Sequence, residues 1–141
     1  MATLKLDIVT AERSIFSNEV DMVIAPGTQG QLGILPYHAP LMTSLEPGEL
    51  IIRKGDEEIC MAVLGGFMEV RPDRVLILAD AAEMASEIDV QRAEAAKQRA
   101  QEKLALKGVP TVDEVVAQAA LMRALVRLKV HQKESIRKKR K

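Results

Sequence analysis

The sequence predicts an all-β module over roughly its first eighty residues and an α-helical hairpin after it. Three observations carry this reading. Residues 1–80 alternate apolar and polar side chains and are cut by turn residues about every 8–12 positions, the rhythm of a β-sandwich or barrel. Residues 89–137 change to strong helix formers, with apolar side chains three and four apart. No strand–helix–strand alternation is visible, which argues against a parallel nucleotide-binding sheet.

The strands follow in order. "LKLDIV" places Leu4, Leu6 and Ile8 on one face of a half-buried strand. "VDMVIAP" repeats the pattern with Val20, Met22 and Ile24. "GQLGILPYHAP", residues 30–40, reads as a loop held in one shape, with Gly30 and Gly33 allowing close backbone approach and His38 set between Pro36 and Pro40. "ELIIRKGDEEICMAV" carries Gly55-Asp56 between two apolar runs, a hairpin signal. "FMEVRPDRVLILAD" puts Pro72-Asp73 between a strand and the run Val75–Ala79.

The helical half starts at "DVQRAEAAKQRAQEKLALKG". Asp89 is the expected N-cap and Gly108 the C-terminal stop. Ala93, Ala96, Ala100 and Leu104 form a narrow stripe of small residues, which permits close approach and buries little area. A second helix begins at "PTVDEVV", where Thr111 and Glu114 make a capping-box pattern behind Pro110. Its expected apolar face combines Val115, Ala119, Met122 and Val126 with Leu121, Leu125 and Leu128. The short turn at 107–110 predicts an antiparallel hairpin. Such a hairpin is marginal alone and is a candidate moving part.

Composition narrows the function. Apolar residues are 48 % of the 141 and charged residues 28 %, so a packed core is expected; with one Tyr, two Phe and no Trp, that core is aliphatic. Cys60 is the only cysteine, so no intrachain disulfide is expected and a reducing compartment fits. No run approaches the ~18 apolar residues of a membrane span, and the N-terminus lacks a secretory pattern. Net charge is zero but uneven. From Arg123 onward nine Lys or Arg face Glu134 alone, leaving residues 1–122 at −8. The basic end suggests an acidic partner, a nucleic acid or a phosphate.

The inventory for catalysis is empty. His38 has no orienting acid or nucleophile in its neighbourhood of sequence, and His131 reads as helix surface. Gly30 and Gly33 are not followed by a helix start with Lys-Ser/Thr, so they do not form a phosphate loop. One Cys and two distant His give no metal-ligand spacing. A nucleic-acid-binding β module with a basic tail is the alternative class. The scarcity of aromatics for base stacking and the acidity of the β half weigh against it.

"GQLGILPYHAPLMTSLEPGEL", "VLGGFMEVRPDRVLILADAAE", "IDVQRA" and "RALVRLKV", in that order, resemble the epsilon subunit of F-type ATP synthases, bacterial type, over nearly the whole chain. The resemblance implies a β-sandwich of about ten strands over residues 1–85 and a helix–turn–helix regulatory domain with a basic tail over 86–141. It implies a non-catalytic rotor subunit of a proton-translocating enzyme. Such a subunit docks on the gamma subunit and on the c-ring, and lies peripherally at the cytoplasmic face of the bacterial plasma membrane without inserting. It also implies an inhibitor of ATP hydrolysis, whose hairpin extends along gamma into the alpha/beta catalytic hexamer.

Site residues follow from the same resemblance. Ile88, Asp89, Arg92 and Ala93 match the I/L-D-x-x-R-A pattern that binds ATP in some bacterial members, with Glu83 just upstream. Arg123 and Arg127, one turn apart, could join Arg92 on a triphosphate, making ATP a possible regulatory ligand. Arg123, Arg127, Lys129 and Lys133 form a basic ridge for an acidic segment of the beta subunit. Gln31 and His38 match positions facing the polar loops of the c-ring. No metal cofactor is implied.

Overall fold

The computed structural model describes residues 2–106 and 111–139. The chain divides into two compact units, Met1–Met84 and Ala85–Lys141.

The first unit holds eight strands: β1 (Leu4–Val9), β2 (Ser14–Val20), β3 (Met22–Gly27), β4 (Gly30–Ile34), β5 (Leu41–Lys54), β6 (Glu57–Val70), β7 (Arg74–Ala79) and β8 (Ala82–Met84). They form one sheet in the order β2-β1-β7-β6-β5-β3-β4, with β8 beside β6. The path ends at β2 and β4, so the sheet folds over as a sandwich and does not close as a barrel. All pairings are antiparallel except β1 with β7.

Strands β5 and β6 explain why eight strands do the work of about ten. Each is fourteen residues long, and they pair from Leu41↔Val70 to Lys54↔Glu57. In one half, Leu45 of β5 and Met68 and Val70 of β6 join the core; in the other, Leu50, Ile52, Met61 and Val63 do. The inward positions switch from odd to even in β5 and from even to odd in β6. A strand changes face only where its backbone leaves the extended form, and Gly65 and Gly66 do so with φ of 94° and 138°. The Gly66–Val70 half of β6 pairs with β7 and the Met61–Val63 part with β8.

The core is aliphatic and draws on all eight strands. Leu4, Leu6 and Ile8 are almost fully buried, as the alternation in β1 predicts. At ~25 cal/mol per Å² of apolar surface, this is where stability resides. The hairpin at Gly55-Asp56 forms as expected. Of its two central residues only Gly55 has positive φ, 59°, as a type II′ turn requires.

Two strand expectations are corrected. Val20, Met22 and Ile24 do not share a buried face. The chain bends at Asp21, β3 restarts with the opposite phase, and Val23 and Ala25 enter the core. Asp21 holds that corner: its N–H donates to the Arg53 carbonyl and its Oδ2 accepts the Gly55 N–H. Residues 30–34, expected within a loop, form β4 and pair with β3 from Val23↔Ile34 to Gly27↔Gly30. Only residues 35–40 remain as loop.

The second unit begins with a 3₁₀ turn, Ala85–Glu87, followed by α1 (Val90–Ala105) and α2 (Thr111–Lys139). The helices pack against each other. Their seam is made of alanine: Ala93 and Ala100 of α1 and Ala117 and Ala124 of α2 are buried. A cleft lined by Ala96, Ala100, Ala117 and Ala120 puts the end of α1 beside the start of α2, the antiparallel arrangement predicted. Both buried pairs are seven residues apart, so Ala93 lies level with Ala124. The expected face of α2 is corrected. Val115 and Ala119 are exposed, Met122 is 48 % and Leu125 44 % exposed, and Leu121, Val126 and Leu128 are half-buried, whereas the residues that α2 buries most completely are Ala117, Ala124 and Val130. Small residues let two helix backbones approach closely, and the larger side chains are left on the outside. The turn at 107–110 with Gly108 and Pro110, the side chains of residues 111–112 and 137–139, and residues 140–141, and so the expected basic tail, lie outside the described residues. No described helix is long and apolar enough to cross a membrane.

Candidate functional site

The first candidate is the N-terminus of α1. Asp89 has extended backbone, φ −84° and ψ 98°, and its Oδ1 accepts the Arg92 N–H at 3.1 Å. It is therefore the N-cap that the sequence predicts, and this carboxylate oxygen is committed to the helix. Ile88 and Ala93 are buried, so neither side chain is presented to a ligand. Arg92 is exposed one turn into the helix. Arg123 is exposed and Arg127 half-buried on α2. Arg92 adjoins Ala93 and Arg123 adjoins Ala124, so these two cations flank the same level of the seam. Glu83 belongs to the first unit, on β8 opposite Ala62. Lys129 and Lys133 are exposed on α2.

The second candidate is the loop 35–40 and the strand before it. Gln31 is exposed on β4, which lies at the free edge of the sheet. His38 holds the loop. Its Nδ1 lies 2.7 Å from the Ala39 carbonyl, and since a carbonyl only accepts, Nδ1 carries the proton. The His38 N–H donates to the Leu35 carbonyl, and the Tyr37 N–H donates to the Pro72 carbonyl across to the β6–β7 turn. Tyr37 sits at φ 68°, a left-handed conformation uncommon outside glycine, and its ring is exposed. Among the described residues, no group of three or more His, Cys, Asp or Glu is placed to hold a metal ion.

A third surface escapes the period-two reading of the strands. On the face of the sheet opposite the core, the register aligns Ser44, Phe67, Leu78 and Val9 in one cross-strand row. Met42, Glu69, Leu76 and Asp7 form the next. Met42 is 68 % exposed, Phe67 51 % and Leu78 52 %. The signal is present in the sequence: "VLILA" in β7 is apolar at every position, which marks a strand apolar on both faces. At one end of this face Arg71 Nε donates to Glu69 at 2.8 Å, and Arg74 lies 3.8 Å from Asp73. The hydrogen bond and the charge of Glu69 raise the Arg71 pKa above its ordinary value.

Comparison with known proteins agrees over residues 3–132. Residues 3–85 match the family model described as ATP synthase, Delta/Epsilon chain, beta-sandwich domain, and residues 86–132 the corresponding long alpha-helix domain. The ATP synthase epsilon chain of Dehalococcoides mccartyi is 59 % identical over 133 residues, covering 94 % of this chain and 95 % of that one. The epsilon chain of Desulforamulus reducens is 52 % identical over 127 residues, covering 90 % and 96 %. Among solved structures, a chain of the Euglena gracilis mitochondrial ATP synthase superposes with a TM-score of 0.80 at 20 % identity, covering 96 % of this chain and 82 % of its own. A chain of the Tetrahymena thermophila central stalk and c-ring superposes at 0.60 and 13 % identity, covering 91 % and 96 %. At these identities the two structures establish the shared fold.

Proposed function

Because this chain belongs to the family of ATP synthase epsilon chains, a non-catalytic subunit, we propose that it is a central-stalk rotor subunit whose helical hairpin restrains ATP hydrolysis. Its sandwich docks on the gamma subunit and, through Gln31 and the loop held by His38, on the c-ring. The subunit is then peripheral to the membrane, on its cytoplasmic side.

The observation that carries the inhibitory reading is the construction of α2. In the closed hairpin the helix buries two alanines, Ala117 and Ala124, and Val130, while Val115, Met122, Leu125 and Ile136 stay exposed. Leaving α1 forfeits little apolar burial, and a second partner could cover the larger side chains. That balance favours a helix able to exchange one partner for another. The extended helix would present Arg123, Arg127, Lys129 and Lys133 to an acidic segment of beta within the alpha/beta hexamer.

ATP enters as the ligand of the closed form. Arg92 on α1 and Arg123 on α2 flank one level of the seam, so a triphosphate held by both would bridge the helices. Arg127, one turn further, would extend the set. Glu83 is the remaining member expected from the resemblance. ATP shifts the equilibrium only by its differential affinity for the closed state.

One experiment tests both parts. Arg92→Ala and Arg123→Ala/Arg127→Ala chains are titrated with ATP by calorimetry and also reassembled into the enzyme for hydrolysis assays. The wild type is expected to bind ATP and each variant to lose most of the heat. The Arg123→Ala/Arg127→Ala enzyme is expected to hydrolyse ATP severalfold faster. No binding at millimolar ATP would remove the nucleotide, and unchanged hydrolysis would remove the contact with beta.

A further inference from the structure

One stripe of α2 faces outward in the closed hairpin. Met122, Leu125, Lys129, Lys133 and Ile136 follow one another at spacings of three and four, so they share a face of the helix. Met122, Leu125 and Ile136 are exposed there although apolar, and so are the two lysines. Around Met122 and Leu125 opens a hollow of about 410 Å³, lined also by Leu121, Val126 and Lys129. Between residues 115 and 139 the sequence has one acidic residue, Glu134. It follows Lys133 and so points about 100° away from it. It is also half-buried. The outward stripe is therefore apolar and basic, without a carboxylate.

The charge of this end is one-sided. Residues 129–141 carry seven Lys or Arg and one Glu. Lys133 and Glu134 each have an interaction of their own and cancel in the count, which leaves six cations. Five of these are the run 137–141. The match to the long alpha-helix domain ends at residue 132, whereas α2 continues to Lys139. Cations at the carbonyl end of a helix complement its dipole, but that effect is confined to the last turn and is met by one or two of them.

We propose that this stripe, reinforced by the charge of the basic end, binds the surface of a bilayer containing anionic phospholipid. The two halves of the pattern select this occupant together. A nucleic acid would answer the cations and leave Met122, Leu125 and Ile136 in water, and α2 has no Phe, Tyr or Trp for base stacking. A second copy would bring like charges together. At an anionic bilayer the apolar side chains of a helix enter the acyl boundary while lysines beside them reach back to the headgroups. Each Lys or Arg near such a surface strengthens binding roughly fivefold. Residues 1–122, at −8, are repelled by the same surface, which confines the contact to this end. The inference rests on the reading of the chain as a subunit peripheral to a membrane, and adds the surface that meets the lipid.

The test is flotation of the full-length chain with large unilamellar vesicles of phosphatidylcholine, alone or with about one-third phosphatidylglycerol. The wild type is expected to bind the anionic vesicles at low salt, to ignore the neutral ones, and to lose roughly tenfold or more in affinity at about 0.5 M salt. Arg137→Gln, Lys138→Gln, Lys139→Gln, Arg140→Gln and Lys141→Gln together are expected to weaken binding roughly a hundredfold or more. Met122→Gln with Ile136→Gln is expected to weaken it roughly tenfold at every salt concentration, because the lost contribution is apolar. Far-UV circular dichroism and incorporation into the reassembled enzyme check the fold of each variant. A wild type that ignores anionic vesicles overturns the lipid contact; if it still enters the enzyme the subunit reading stands, and if it does neither that reading falls as well. An effect of the glutamine tail with none of Met122→Gln/Ile136→Gln overturns the stripe, since the binding is then charge attraction alone. Tighter salt-sensitive binding to a single-stranded DNA oligonucleotide, at equal phosphate concentration, overturns the proposal in favour of nucleic acid. Self-association abolished by Met122→Gln/Ile136→Gln overturns it by making a second copy the occupant.

Discussion

Gly66 is where backbone chemistry limits the sandwich most sharply. Its φ of 138° lies outside the range L-residues adopt, and a Cβ there would overlap the Leu78 carbonyl oxygen and lie 2.8 Å from the Ala79 Cα. Neither neighbour is a side chain that can swing away. Gly55 also has positive φ, but a Cβ there would meet nothing within 4 Å. Gly66→Ala is therefore expected to destabilise the chain by about 3 kcal/mol or more, combining strain with steric overlap, and Gly55→Ala by about 1 kcal/mol from the turn conformation alone. Urea unfolding of the two variants checks this, and equal midpoints would contradict it. Gly66 precedes Phe67, so the same substitution is expected to disturb the outer apolar row. His38 illustrates the opposite kind of residue. Set in a glycine- and proline-rich stretch it resembles a catalytic base, yet its ring closes a local hydrogen bond to Ala39 and fixes the shape of a loop.

The helical hairpin turns on which face of α2 is buried. Ala124 is 1 % exposed and Met122, two residues away, is 48 % exposed. Ala124→Leu is expected to force the helices apart and cost about 1–3 kcal/mol of unit stability. Met122→Ala, on the exposed side, is expected to change stability by less than about 0.5 kcal/mol. Chemical denaturation followed by far-UV circular dichroism distinguishes them, and the reverse order would mean that the larger stripe is the packed one. Hydrophobic periodicity chose that larger stripe because it weights residues by size, whereas a close helix–helix contact selects for the absence of size. The strands show the same limit. In β1 one face is buried and the other half-buried, and alternation identified Leu4, Leu6 and Ile8 correctly. At Asp21 the phase resets at a corner that no local composition marks, so the assignment failed there. In β4 two glycines and no alternation hid a paired strand. The cap at Asp89 was legible because its geometry depends on one residue and the next three.

The two units differ in what holds them. The sandwich core gathers Leu, Ile, Val and Met side chains from eight strands, many with no exposure at all. The α1–α2 seam buries chiefly alanine, which contributes little apolar area per residue. A sixteen-residue helix such as α1 is marginal in water without tertiary support. Local opening of α1 is therefore expected at a free energy about 2 kcal/mol or more below that of the central strands, a protection difference of roughly thirtyfold. Native-state amide hydrogen exchange on the full chain reads this directly. Amides of Val90–Ala105 are expected to exchange by sub-global opening, while those of β1, β6 and β7 exchange only with global unfolding. If ATP binds across the seam, saturating nucleotide is expected to slow exchange in α1 and to leave the strands unaffected, because a ligand raises the opening free energy only of the state it binds. Equal protection of helices and strands would mean that the hairpin opens only when the chain unfolds. The alanine seam would then be a fixed joint, and an inhibitory element that leaves α1 would have no low-energy route out.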